Sequence, residues 1–303
     1  MSEWARRGLV GGVAALLLLL VFGGSRLGPA PVSAADPARA GEAPLPGDQR
    51  NPSVASDGSG FLVVWEDQRT PDSWERDIYA ARVDANGNTL DPDGIAVSTR
   101  PGLEWDPEVS FDGTNYLVAW TDSTSFNRND VRAARVSLDG QVLDPDGIVL
   151  TAQEPFGGNR PHIAFDGTNY LVVYENCYCM RGVRVTPEGT ILDPGGFSIA
   201  SGDFPLRSGV SFGAGEYFVT WNSIHGVEGA RVLPDGTVLD NGGIIISGYD
   251  GYSYPASAFD GTNFVVTWED EHLDGSARWQ YHLWAVLMFQ AWLQDQSGLH
   301  TVS

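Results

Sequence analysis

Residues 111–120 read FDGTNYLVAW, and close copies return at 165–174 (FDGTNYLVVY) and 259–268 (FDGTNFVVTW). Weaker copies end at Trp65 and Trp221. Aligned on the last aromatic, Trp65, Trp120, Tyr174, Trp221 and Trp268 lie 55, 54, 47 and 47 residues apart. A period near fifty residues marks a repeat architecture, in which one supersecondary unit is stacked several times. Within the phrase, Asp-Gly separates two short runs rich in β-branched and aromatic residues, which is the signal of a tight hairpin.

Outward from the phrase, each unit opens with a stretch such as PSVAS, PEVSF, PHIAF or PASAF and turns at Asp-Gly into FLVVW, YLVAW or FVVTW. After a loop of varying length comes a third run ending in Ala81-Arg82-Val83, Ala134-Arg135-Val136, Val183-Arg184-Val185 or Ala230-Arg231-Val232. A second tight turn follows at Asn86-Gly87, Asp139-Gly140, Glu188-Gly189 and Asp235-Gly236. The fourth run reads GIAVS, GIVLT, GFSIA or GIIIS, and the Asp before it (Asp91, Asp144, Asp193, Asp240) is expected to cap a turn with its side chain. Four antiparallel strands in about fifty residues describe one blade of a β-propeller. A sandwich has no reason to repeat one four-strand sentence, and a solenoid would not place hairpin turns inside every unit. The reading is therefore all-β: a β-propeller of four complete four-stranded blades and the first half of a fifth over residues 51–270, an incomplete ring being one outcome. The repeated aromatic is expected to pack between neighbouring sheets.

The D-G-x-x-Y-L-V-x-W phrase resembles the tandem repeats of secreted bacterial proteins whose repeats form β-propellers. The resemblance spans residues 51–270 and implies architecture; it brings no catalytic residue with it.

The flanks are of a different kind. Arg6 and Arg7, an apolar run from Gly8 to Gly24, and the small-residue site Val32-Ser33-Ala34 have the three parts of a secretory signal peptide over residues 1–34. This predicts a secreted or periplasmic protein, the competing reading being an uncleaved membrane anchor. Residues 35–50, rich in Ala, Pro and Gly, read as a flexible lead-in. At the other end, the pattern breaks in the tail 271–303. Residues 277–293 are apolar enough for a helix covering a sheet edge. A shift of the coding frame ahead of a lost third strand is the other reading.

The chain carries 39 acidic and 18 basic residues, a net charge of −21, which repels nucleic acid and anionic membrane surfaces. Neither is expected as a partner. In an antiparallel unit the first and third turns share one end. The loop between the second and third strands and the connection to the next unit share the other. The first set are near copies, whereas the second set differ in length and chemistry (EDQRTPDSWERD, TDSTSFNRND, ENCYCMRG, NSIHG). Loops on a rigid scaffold commonly carry binding, so function is expected on this variable face.

There the connections lead into the first strands around the axis. Asp106, Glu108, Arg160, His162 and Arg207 fall at matching positions and are expected to meet at one funnel. Carboxylates, imidazole and guanidinium together suit a sugar or anionic ligand, and could supply the acid and base of a glycosidase. The function expected is a non-catalytic binding or scaffold module for a glycan or an extracellular protein. The alternative is a carbohydrate-active propeller enzyme, a hydrolase or lyase, using Asp106, Glu108 and His162.

No cofactor or metal is expected. Cys177 and Cys179 leave open a strained local disulfide, free thiols or half a metal site. The stretch Asp84–Gly94 (DANGNTLDPDG) lacks full calcium-loop spacing, and turn chemistry accounts for it. The five His show no HExxH spacing and no Ser lies in a G-x-S-x-G elbow.

Overall fold

A computed structural model describes residues 47–69, 74–125, 128–202, 205–248, 254–273 and 279–288. The expected signal peptide at 1–34 and most of the lead-in lie outside these. The described residues form nineteen strands and no helix, so none is long and apolar enough to cross a membrane.

The strands fall into five antiparallel sheets taken in chain order. The first sheet contains β1 (Asp48–Ser56), β2 (Gly60–Gln68), β3 (Asp77–Asp84) and β4 (Ile95–Ser98). The second contains β5 (Leu103–Phe111), β6 (Asn115–Ser125), β7 (Arg128–Ser137) and β8 (Ile148–Val149). The third contains β9 (Asn159–Phe165), β10 (Tyr170–Asn176), β11 (Cys179–Val185) and β12 (Phe197–Ser201). The fourth contains β13 (Leu206–Gly213), β14 (Glu216–Ser223), β15 (Gly226–Val232) and β16 (Ile244–Ser247). Each is a meander in the order first, second, third, fourth strand. The fifth has β17 (Ala256–Phe259), β18 (Phe264–Leu273) and β19 (Trp279–Met288).

Two boundaries differ from the sequence reading. The end of the lead-in is strand, because Asp48, Gln49 and Arg50 pair with Gln68, Asp67 and Glu66. The fifth sheet has three strands where two were expected, and residues 279–288 of the tail are strand where a helix was weighed. The register explains this. Trp284 pairs with Trp268 as Tyr79 does with Trp65, Arg132 with Trp120 and Glu228 with Trp221, so residues 279–288 occupy the third-strand position of the fifth sheet. Ala285 then takes the position of Ala80, Ala133, Gly182 and Gly229.

The core lies between sheets, and the repeated aromatic is its centre. Trp120 packs with Leu62, Val64, Ile78, Ala80 and Val97 of the first sheet. Tyr174 packs with Leu117, Ala119, Val131, Ala133 and Leu150 of the second, and Trp221 with Leu171, Val173, Met180 and Ile199 of the third. Each aromatic thus docks on the preceding sheet, fully buried. The glycine before the fourth strand belongs to this arrangement. Gly243 has φ +83°, and a Cβ there would lie 2.7 Å from the Trp221 ring, so both conformation and space require glycine.

The Asp before the fourth strand works differently from expectation. It accepts from the Arg of the third strand: in the first sheet Arg82 N and Nε donate to Asp91 Oδ2 at 2.9 Å each, and Nη2 to Oδ1 at 2.7 Å. Arg135–Asp144, Arg184–Asp193 and Arg231–Asp240 repeat the clamp. The first three arginines also reach the next sheet, Nη1 donating to the carbonyls of Leu138, Pro187 and Pro234. Tyrosines add a second tie: the hydroxyls of Tyr116, Tyr170 and Tyr217 donate to Asp57 Oδ2, Asn115 O and Asn169 O in the preceding sheet's first turn.

Candidate functional site

The first strands β1, β5, β9 and β13 each contain an irregularity near their start, between Arg50 and Ser53, Trp105 and Glu108, opposite Val173 to Glu175, and between Leu206 and Gly209. At each, one non-glycine residue adopts a left-handed conformation: Asn51 (φ 48°), Asp106 (51°), Arg160 (48°) and Arg207 (55°). Such conformations are costly for residues with a Cβ and persist only where surroundings hold them. The holding group comes from the preceding sheet, at the residue after the repeated aromatic. Glu66 Oε1 accepts from Asp106 N at 2.9 Å, Thr121 Oγ1 from Arg160 N at 2.9 Å, and Glu175 Oε1 from Arg207 N. The bulge directs three of the candidate side chains, and the latch fixes the bulge.

Those side chains form a chain of contacts from sheet to sheet. Asn51 Nδ2 donates to Glu66 Oε1 (2.6 Å) and Asp106 Oδ1 (3.2 Å). Arg160 lies between Asp106, Nε to Oδ2 3.5 Å, and Glu175, to which Nη1 donates at 3.0 Å. Arg207 lies with its guanidinium carbon 3.7 Å from the Tyr254 ring centroid, a cation–π contact. Two residues further along the strands is a second tier. Ser53 Oγ donates to Glu108 Oε2 at 2.8 Å, and His162 Nδ1 is 3.2 Å from Glu108 Oε1. The matching residues of the fourth and fifth sheets are Gly209 and Ala256, which add no polar side chain to this tier. The structure therefore joins the five candidate residues into two pairs, Asp106–Arg160 and Glu108–His162, with Arg207 linked to the first through Glu175.

Burial and the negative charge of Glu66 push the Asp106 carboxyl up to about 6, against the pull of Arg160 and His162. For His162, burial opposes the charge but is outweighed by the hydrogen bond and charge of Glu108, and the imidazole is raised above its ordinary range. The mouth thus holds a carboxyl and an imidazole that both keep their protons to higher pH than they would in water.

Sequence reasoning passed over Glu66, Thr121 and Glu175. Their signal was a polar residue directly after the repeated aromatic, whose side chain reaches the next sheet. It also passed over a surface feature. Trp74, Phe156, Tyr178 and Tyr254 are the exposed aromatic side chains among the described residues, each more than half exposed. Every one lies in a second-to-third-strand loop or a connection between sheets, on the variable face.

Cys177 and Cys179 are free thiols, at and beside the tip of the hairpin in which Cys177 and Tyr178 take left-handed conformations. Among the described residues no group of three or more His, Cys, Asp or Glu side chains is arranged to hold a metal. Asp84 Oδ1 accepts from Asn86 N and Asn88 N, the turn chemistry expected of that stretch.

No protein-family model matches the chain, and no curated protein matches it. Among solved structures it is similar to an exo-1,5-α-L-arabinanase from a bovine ruminal metagenomic library (TM-score 0.47, 14% identity, covering 80% of this chain and 97% of that one). It is also similar to a thermostable family-43 glycoside hydrolase (TM-score 0.46, 13%, 82% and 95%) and to the β-xylosidase RS223 (TM-score 0.45, 12%, 78% and 96%).

Proposed function

We propose that this chain is a secreted β-propeller, its five sheets the blades, that binds a glycan on the variable face around the mouth formed by Asp106, Glu108, Arg160, His162 and Arg207. The observation that carries this reading is the placement of Trp74, Phe156, Tyr178 and Tyr254. Four exposed aromatic rings lie in the loops and connections of the variable face, and one of them, Tyr254, lies against Arg207 of the mouth. A sugar presents both kinds of surface: apolar C–H faces that stack on aromatic rings, and hydroxyls that pair with carboxylate and guanidinium groups. The mouth groups are already oriented by one another, so binding orders few additional side chains.

Titration calorimetry against a panel of soluble polysaccharides tests the reading. Saturable binding that falls at least tenfold in Tyr254→Ala supports it; binding to none of the panel, with capture of an extracellular protein instead, replaces it.

A second reading, a glycoside hydrolase or lyase, is favoured by the Asp106 carboxyl held near 6 beside Arg160, since a general acid must keep its proton at working pH. New reducing ends released from the bound polysaccharide by the wild type, and absent with Asp106→Asn or Glu108→Gln, decide for it.

A further inference from the structure

Among the described residues, five buried side-chain nitrogen and oxygen atoms that lack a hydrogen-bond partner lie in one place, on the face of β5, β6 and β7 that carries Trp120 and meets the first sheet. They belong to Arg100, Glu104, Asp122 and Arg132. Buried polar atoms without partners are rare enough in folded proteins that such a concentration requires an explanation.

The register supplies the frame. Glu104 of β5 and Asp122 of β6 are direct cross-strand partners, so their side chains leave the same face of the sheet side by side. Both are fully buried. Asp67 and Asp77 are a second cross-strand pair of acids, on β2 and β3, on the face of the first sheet that carries Trp65. Arginines answer most of this charge: Arg132 and Arg100 lie against Asp122 Oδ2, and Arg69 Nε lies 3.0 Å from Asp67 Oδ1. Glu104 is different. Ser98 Oγ (2.6 Å) and Trp120 Nε1 (2.9 Å) both donate to its Oε1, and no donor reaches its Oε2. Asp122 Oδ1, on the residue directly across the strands, is likewise without a donor. The backbone around the pair is spoken for, Glu104 N donating to Arg76 O and Arg76 N to Gly102 O. Asp130, which pairs with Asp122 from β7, is occupied by Arg128 and by the Thr151 hydroxyl.

We propose that Glu104 and Asp122 bind one proton between them, carried on Glu104 Oε2 and donated to Asp122 Oδ1. One O–H satisfies both orphaned oxygens at once and removes the repulsion of two buried charges directly opposite each other. A metal ion is the poorer occupant, because two arginines already lie against Asp122 and the surrounding ligands are not arranged for one. Burial, followed by the charges of Asp122 and Asp77, drives the Glu104 carboxyl up to about 7 against the two hydrogen bonds to Oε1, in accord with a retained proton. Deprotonation leaves two adjacent negative charges under Trp120, the aromatic that fastens the second sheet to the first.

The test compares thermal unfolding of the full chain with Glu104→Gln at pH 5 and pH 8. The amide of the variant donates permanently where the carboxyl donates only when protonated. The expected result is a variant several degrees more stable than wild type at pH 8, with the gap closing or reversing at pH 5. Glu104→Leu, which cannot donate, should be destabilised at both. A Glu104→Gln that follows the wild type in parallel at both pH values overturns the proposal. So does a wild type whose pH 8 deficit is repaired by calcium or magnesium and restored by chelator, since the site would then hold a cation.

Discussion

At the scale of single residues, position in the repeat separates structural from binding side chains. Trp120 fills the space between the first and second sheets, so Trp120→Ala should cost about 3–5 kcal/mol in urea unfolding. Arg160 makes two ion pairs, but its side chain is about half exposed, and these should contribute only about 0–1 kcal/mol. Arg160→Ala should therefore fold nearly normally while weakening glycan binding. Equal destabilisation by the two changes would mean that the mouth is a structural network. Between these extremes is the tyrosine tie. Tyr217 is buried except for the reach of its hydroxyl to Asn169 O, and Tyr217→Phe should lose about 1 kcal/mol in the same assay. The series is consistent within the chain. In the fourth sheet the first turn reads FGAGEY, without the Asp, and the residue that follows it in the fifth sheet is Phe264, without the hydroxyl.

The elements show what a sequence can and cannot display. Strand order, the Asp-Gly turns and the docking of the aromatic were legible because each repeats a period-two pattern bounded by turn residues, four or five times over. The candidate mouth residues were legible for the same reason: once units are aligned, matching positions share a place in space. The bulge was not. A left-handed Arg160 or Arg207 has no composition signal, because its conformation is imposed by the acceptor on the neighbouring sheet. The clamp between Arg82 and Asp91 was misread for the same cause, an Asp near a turn being locally indistinguishable from a turn cap. In β19 the missing arginine hid a strand whose register is otherwise regular. The latch makes its own prediction. Glu175 is buried and accepts from Arg207 N and Arg160 Nη1, so Glu175→Leu should strand two donors and cost about 2 kcal/mol, whereas Glu175→Gln keeps an acceptor and should cost less than half of that. If the bulge orients the mouth, binding falls in the same order, Leu well below Gln; equal binding by both would remove the latch from the site.

For the whole molecule, the buried acids act in one direction. Glu104 is raised to about 7 by burial and by its acidic neighbours, Asp106 to about 6 by burial and Glu66, and Asp77 to about 6 by burial, Glu75 and Asp67. His162 is raised as well, the Glu108 contact outweighing its burial. Each of these groups holds its proton more tightly folded than unfolded, so its contribution is fully present below its unfolded pKa and is lost as pH rises through the folded one. For the carboxyls that loss begins near 4 and runs to about 7; for His162 it begins near its ordinary value and extends above it. Rising pH also adds negative charge to a chain already at −21 near neutrality, which works the same way. The opposite limb comes from the clamps. Asp91 is held below its ordinary range by Arg82, and Asp144 by Arg135 in spite of its burial, and their contributions are present above their unfolded value and disappear as pH falls below it. Stability should accordingly peak in mildly acidic solution, between about pH 4 and 6, rather than at neutrality. Thermal melts at fixed ionic strength across pH 3–9 measure this, and a midpoint that is flat or rising from pH 5 to pH 8 would refute it. The two limbs are separable: Asp144→Asn should lower stability on the neutral side and flatten the acid fall, while leaving the decline from pH 5 to pH 8 in place, because that decline belongs to acids on the variable face and the clamps sit at the other end of the sheets.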